Sequence, residues 1–184
     1  MPAERAEEQD VNFLKTLFGI GTDPREALIP LYGSIVAEAR QPAWYAEMGV
    51  PDTLDGRFDM VSAILSLVLV RIEAEGDAGR GASARLTEVF IDDMDGQLRQ
   101  LGIGDVIVGK HIGKMMAAMG GRLSAYRAAI GDRTALEEAL VRNLWRGEPA
   151  ADAKPALVAA RMQAIAARLE TLRWDDLLAN GLPG

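Results

Sequence analysis

Apolar positions recur along the chain at three- and four-residue intervals, and Gly and Pro cut that recurrence into pieces. Leu28, Leu31, Tyr32, Ile35, Val36 and Ala39 fall on one side of a helix, because side chains three and four apart share a face. Ahead of them Asp23, Pro24 and Glu26 suit the N-cap, N1 and N3 positions of a capping box. Pro42 interrupts this helix, Ala43–Met48 forms a short one, and Gly49 and Pro51 break the chain again. Phe58, Val61, Ile64, Leu65, Val68, Leu69 and Ile72 predict a helix over about residues 55–74. Its run VSAILSLVLV (61–70) is half the length a bilayer requires, so it reads as a buried helix. EGDAGRGAS (75–83) reads as a linker. Helices follow over about 84–101, 105–130, 134–146 and 153–173. Gly131 closes the third-last of these, and Thr134 with Glu137 opens the next as a capping box. Val158, Met162, Ile165, Leu169 and Leu172 step by four and three, a heptad-like packing seam. A helix over about 4–18 reads as an arm, residues 1–20, ahead of a helical domain over 21–184. No stretch alternates with period two and none repeats. The pattern predicts an all-α, single-domain multi-helix bundle of about seven to eight helices.

Composition narrows the functional classes. A chain of 184 residues, 49% apolar, buries a core without staples. The absence of cysteine excludes disulfides, a thiol nucleophile and cysteine-ligated zinc or iron–sulfur clusters. A net charge of −7 argues against DNA binding, which needs a basic excess, but leaves room for a local basic patch. The acidic start MPAERAEEQD resembles neither a signal peptide nor an arginine-rich transit peptide, so a bacterial chain of this kind is expected in the cytoplasm.

Only FIDDMDGQLRQLGIGD (90–105) looks like chemistry at first sight. On a helix, Leu86, Phe90, Met94, Leu98 and Leu101 form an apolar stripe. Glu88, Asp92, Asp95 and Arg99 lie opposite, with Arg85 beside them, so Arg85–Glu88 and Asp95–Arg99 are expected ion pairs. That is a solvated helix face. Asp93 instead borders the stripe beside Val89 and is expected to be partly buried and bonded to an Arg, a Lys or a helix N-terminus. An EF-hand fails at Ile91 and Gly102, where acids are required. A magnesium-dependent all-α enzyme using Asp92, Asp93 and Asp95 would need a second acidic motif, for which Trp174-Asp175-Asp176 is the thin candidate. His111, the single histidine, has no nucleophile in context and falls beside the stripe Val108, Ile112, Met115, Met119, Leu123 and Tyr126. Met115 and Met119 are expected in the core, and Met116 is the better candidate for exposure. Lys110 and Lys114 lie opposite the stripe and Arg122 near its edge, a strip suited to RNA, a ribosome surface, an acidic partner or lipid headgroups. The glycines of LGIGD and VGKHIGK lack the spacing of phosphate loops. No catalytic, metal or cofactor site emerges.

Five segments in order supply more. LYGSIVAEARQPAWYAEMGVPDTLDGRFDM (31–60), Leu69–Ile72, FIDDMDGQLRQLGIGDVIVGKHIGKM (90–115), GRLSAYRAAI (121–130) and ALVRNLW (139–145) resemble the ubiquinol–cytochrome c chaperone family. Its members are assembly factors of ubiquinol–cytochrome c reductase, respiratory complex III. The sharpest motifs are GVPDT-x-x-GRFDM and DMD-x-x-LR-x-x-G-x-GD. The resemblance covers about 28–146 and leaves out the arm and the helix over 153–173. It implies a non-enzymatic helical domain that binds newly made cytochrome b, in mitochondria together with a small partner at the ribosomal exit, and peripheral contact with the membrane. Motif positions carried over are Tyr32, Arg40, Tyr45, Pro51, Asp52, Arg57, Phe58, Asp95, Leu98, Arg99, Gly102, Arg122 and Tyr126. With the exposed face and basic strip, the expected partner-binding set is Tyr32, Arg40, Tyr45, Arg57, Phe58, Asp92, Asp95, Arg99, Lys110, Lys114 and Arg122. Ile64 stands where family members often carry histidine, so that histidine's role is not carried over.

Overall fold

A computed structural model describes residues 23–182 except 24, 101 and 103, and leaves aside the side chains of 105 and 106. The arm expected over 1–20 lies outside the described residues. Within them every regular element is helical: α1 (Ile29–Ala39), α2 (Leu54–Glu73), α3 (Asp77–Gln100), α4 (Asp105–Ala129), α5 (Arg133–Leu144), α6 (Pro155–Thr171) and α7 (Trp174–Asn180). A 3-10 turn, Glu26–Leu28, leads into α1, and a π-helical turn, Ala43–Glu47, follows it. The helical periodicity of the sequence is thus realised as an all-α bundle.

The run that is apolar on every side becomes the axis. Helix α2 is packed against α1, α3, α4, α5 and α6, and all residues from Asp59 to Leu69 are buried. Ile64, Leu65 and Val68 lose all contact with solvent, each contributing roughly 1.5–3 kcal/mol of apolar burial. The heptad-like seam of α6 lays Val158, Met162 and Leu169 into the core, with Ile165 and Leu172 half-buried. On α3 Leu86, Phe90, Met94 and Leu98 of the predicted stripe are buried as expected; Leu101 lies outside the described residues.

Several boundaries differ from expectation for identifiable reasons. EGDAGRGAS is not a linker, because α3 begins at Asp77. A Cβ on Gly79 would stand 2.3 Å from the Ile72 carbonyl oxygen. Glycine there lets the start of α3 press on the end of α2, making a tight helical corner. Asp23 accepts the Arg25 backbone N–H at 2.9 Å, but the N-cap position of the 3-10 turn is Arg25, without a side-chain cap, and α1 proper starts at Ile29. At α5 the cap is Asp132, not Thr134: its carboxylate accepts the N–H groups of Thr134 at 2.9 Å and Ala135 at 3.1 Å. The short helix α7 has no counterpart in the expectation. It packs on α1, where the Leu182 N–H donates to Ser34 Oγ at 2.8 Å.

Candidate functional site

The GVPDT-x-x-GRFDM segment builds one corner of the molecule. Gly49 adopts φ +70, a left-handed conformation that suits glycine. Its carbonyl accepts the Trp145 indole N–H at 2.9 Å, tying the corner to the end of α5. Thr53 caps α2 by accepting the Gly56 N–H at 3.1 Å. A Cβ at Gly56 would lie 2.0 Å from the Pro51 carbonyl oxygen, so only glycine lets the turn fold back on the first turn of α2. Asp52 then accepts from Arg57 at 2.6 Å, and that guanidinium holds its carboxyl below the usual carboxylate value. The corner delivers Phe58 and Asp59 to one side of α2.

There the first half of α2, the last turns of α3 and the middle of α4 enclose a groove of about 640 Å³. Its floor is apolar: Phe58, Val61, Met94, Leu98, Met115 and Ala118. Phe58 leans on Phe90 with ring centroids 5.8 Å apart. Its rim and end wall carry five cationic side chains, Arg40, Arg57, Lys114, Arg122 and Arg146, against two carboxylates, Asp55 and Asp59.

The end wall is a buried ion-pair set. Asp59 is 1% exposed and Arg122 is 9% exposed. Arg122 Nη2 donates to Asp59 Oδ1, Arg146 Nη1 donates to Oδ2 at 2.9 Å, and the Arg122 guanidinium lies over the Phe58 ring at 5.3 Å. Burial pushes the Asp59 carboxyl above the ordinary carboxylate value, against the pull of both guanidiniums. Arg146 reaches it from a left-handed backbone, φ +54. That conformation is uncommon for a residue with a Cβ, and the ion pair to Asp59 anchors it. Nε and Nη1 of Arg122 and the hydroxyl of Ser62 are buried without a protein partner.

The sequence-expected residues separate into those at the groove and those away from it. Arg40, Arg57, Phe58, Lys114 and Arg122 line it. Tyr45 stands beside it, donating to the Ala39 carbonyl at 2.7 Å with Arg57 over its ring at 5.9 Å. Burial raises its phenol above the ordinary value. Tyr32 is buried, and its hydroxyl donates to Asp93 at 2.7 Å. Burial and that carboxylate raise the Tyr32 phenol well above its ordinary value. Asp92, Asp95 and Arg99 lie on the polar face of α3, away from the groove lining, and Lys110 is exposed on α4. The strip expected from Lys110, Lys114 and Arg122 therefore breaks up: the lysines are exposed, while Arg122 is turned inward by Asp59.

The three aspartates diverge. Asp95 pairs with Arg99 as expected. Asp92 reaches Arg25 at 3.3 Å, and Arg85 packs back over Gly81 rather than on Glu88. Asp93 is half-buried as expected, but its partners are neutral, Tyr32 and the Gln97 amide at 3.0 Å. Asp175 faces Arg173 at 3.5 Å. Among the described residues no three acidic or histidine side chains converge as metal ligands would. Met119 is in the core; Met115 lines the groove, whereas Met116 is half-buried against the core. His111 is exposed on the groove rim, not at a core boundary.

Sequence reasoning missed Asp59, Arg146, Met94 and Ala118 as groove residues. Asp59 left a signal: a carboxylate at the start of a helix run that is apolar on every side demands a buried partner. Arg146 left none, since its approach depends on how α5 ends. No helix among the described residues is long and apolar enough to cross a membrane.

Comparison with known proteins adds two findings. The family described as ubiquinol–cytochrome C chaperone matches residues 46–182, a stretch that starts after α1 and takes in α6 and α7. The chain is similar to the crystal structure of the Cbp3 homolog from Brucella abortus, with 32% identity and a TM-score of 0.75 over 86% of this chain and 90% of that one. No curated protein matches.

Proposed function

The chain belongs to the ubiquinol–cytochrome c chaperone family, and from that premise we propose that it is a non-catalytic assembly factor whose client is newly made cytochrome b, received in the groove between α2, α3 and α4. The observation that carries the reading is convergence. The two sharpest sequence motifs lie more than thirty positions apart, yet both contribute to one concavity, Arg57, Phe58 and Asp59 from one and Met94 and Leu98 from the other. A core asks for apolar contacts alone. This groove instead leaves Phe58, Met115 and Ala118 partly open to solvent over the buried Val61, Met94 and Leu98 and surrounds them with charge, which suits a partner that brings its own apolar surface.

A nascent membrane protein is such a partner, because its apolar helices have no stable place in water until they are inserted or covered. The groove offers cover without chemistry: its ionisable groups are held in ion pairs or stand at the rim. The proposed site of action is the side of the membrane on which cytochrome b is made. Deleting the gene is expected to deplete assembled ubiquinol–cytochrome c reductase, measured by the reduced haem spectrum of isolated membranes, and reintroduction of the chain restores it. Normal levels in the deletion strain would end the reading.

A further inference from the structure

The charge and the walls of the groove say what kind of segment it takes. Resting on the client reading, we propose that the occupant is a helix of about four turns that carries acidic side chains beside its apolar face, seated against Arg40 and Lys114.

All three walls are α-helices whose N–H and C=O groups are bonded within themselves outside the terminal turns, and no strand edge exists among the described residues. An entering segment finds no backbone partners on the walls, so it must satisfy its own, which an α-helix does. The length follows from α4. Ile107, 55% exposed, sits one turn before His111 on the same face, and the groove lining runs on through Met115 and Ala118 to Arg122. That is about 22 Å at 1.5 Å per residue, room for roughly four helical turns. Leu54, 56% exposed on the opposite wall, offers the occupant a second apolar contact.

Charge supplies the selection. The chain as a whole is anionic, with a net charge of −7, yet the groove lining is cationic. Both of its carboxylates are already engaged: Asp59 by Arg122 and Arg146, and Asp55 by Arg146 at 3.5 Å. Arg57 is shared with Asp52. Among the described residues no carboxylate is paired with Arg40 or Lys114, which remain uncompensated on the rim. Two rim cations beside an apolar floor complement carboxylates flanking an apolar helix face. A flat anionic bilayer also attracts cations, but it cannot fill a concave floor made by Phe58, Met94, Leu98 and Met115.

The test uses the full chain and three fluorescently labelled 18-residue Leu/Ala helical peptides, identical except that two flanking positions are both Glu, both Gln or both Lys. In low salt the Glu peptide is expected to bind about tenfold tighter than the Lys peptide, from two rim pairs of ordinary exposed strength. The difference shrinks in high salt, where exposed charges are screened. The double variant R40E/K114E reverses the order. R40A/K114A, with helicity and melting temperature checked, abolishes the preference while keeping the Gln peptide bound. Equal binding of the three peptides, or tighter binding of the Lys form, overturns the proposal. Binding of wild type but not R40E/K114E to phosphatidylglycerol vesicles, without any peptide preference, overturns it in favour of a membrane surface. Failure here is separable from failure of the client reading. Ala118→Glu, at an exposed position of the lining and with its melting temperature checked, would still deplete complex III if the groove receives the client in some other form, and would leave it normal if the groove receives none.

Discussion

Removing the carboxylate of Asp59 tests whether the groove wall is held by the ion-pair set or merely decorated by it. In Asp59→Ala the Arg122 guanidinium, nine-tenths buried, keeps only the face of Phe58 as a neighbour of favourable charge. Stranding one member of a buried pair costs about 3–5 kcal/mol, most of it the uncompensated charge. Arg146 is 58% exposed at its side chain and turns to water at little expense. Arg122 lines the groove and can swing part of the way out, so the lower end, about 3 kcal/mol, is expected. For a chain of this size that lowers Tm by roughly 6–12 °C. Urea unfolding followed by far-ultraviolet circular dichroism, with the m-value held in common, measures it. The companion D59L/R122M replaces both charges by apolar groups and should recover at least about 2 kcal/mol of the loss, because nothing charged is left in the wall. A loss below about 1 kcal/mol in Asp59→Ala, or a double variant no more stable than it, refutes the argument that Arg122 depends on Asp59.

Other expectations follow from the same contacts. Because burial raises the Asp59 carboxyl, its contribution is complete below the ordinary carboxylate value of 3.8 and is lost as pH rises through the folded-state value. The stability of wild type relative to Asp59→Asn should therefore decline from acid toward neutral pH; a rise would mean that the two guanidiniums outweigh burial. Gly56→Ala forces a Cβ onto the Pro51 carbonyl and should cost about 1–3 kcal/mol. Gly120→Ala, where a Cβ meets nothing within 4 Å inside α4, should instead stabilise by about 0.5–1 kcal/mol. Chemical denaturation of the two alanine variants should give shifts of opposite sign. Tyr32→Phe leaves Asp93 with Gln97 alone and should lose about 1–2 kcal/mol, read as a lower urea midpoint at unchanged m-value.

What the sequence made legible was local. The period of Leu86, Phe90, Met94 and Leu98 gave the buried face of α3 because a helix face is set by spacing alone, and the run from 61 to 70 gave the central helix because it has no polar side to show water. Boundaries were less legible where a neighbour decides them. Gly79 reads as a linker glycine by composition, but tertiary contact with Ile72 keeps it helical. Asp132 outcompetes Thr134 as a cap by standing where two free N–H groups point. The groove was hidden for a different reason. Its lining comes from residues more than a hundred positions apart, Arg40 to Arg146, and Arg122 looks like a surface cation until Asp59 is placed opposite it. The resemblance supplied Arg57, Phe58, Leu98 and Arg122 as a set without saying that they meet.

The central claim, that cytochrome b is received in the groove, is open to one direct measurement made easy by a chain without cysteine. A single cysteine replaces Ala118, exposed on the groove lining, and a second variant carries it at Glu170, exposed on α6. Each is labelled with a photoreactive maleimide and illuminated in a lysate synthesising isotopically labelled cytochrome b. The account predicts a cross-linked cytochrome b adduct from position 118 and none from position 170. An adduct from position 170 without one from position 118, or equal adducts from both, would contradict it.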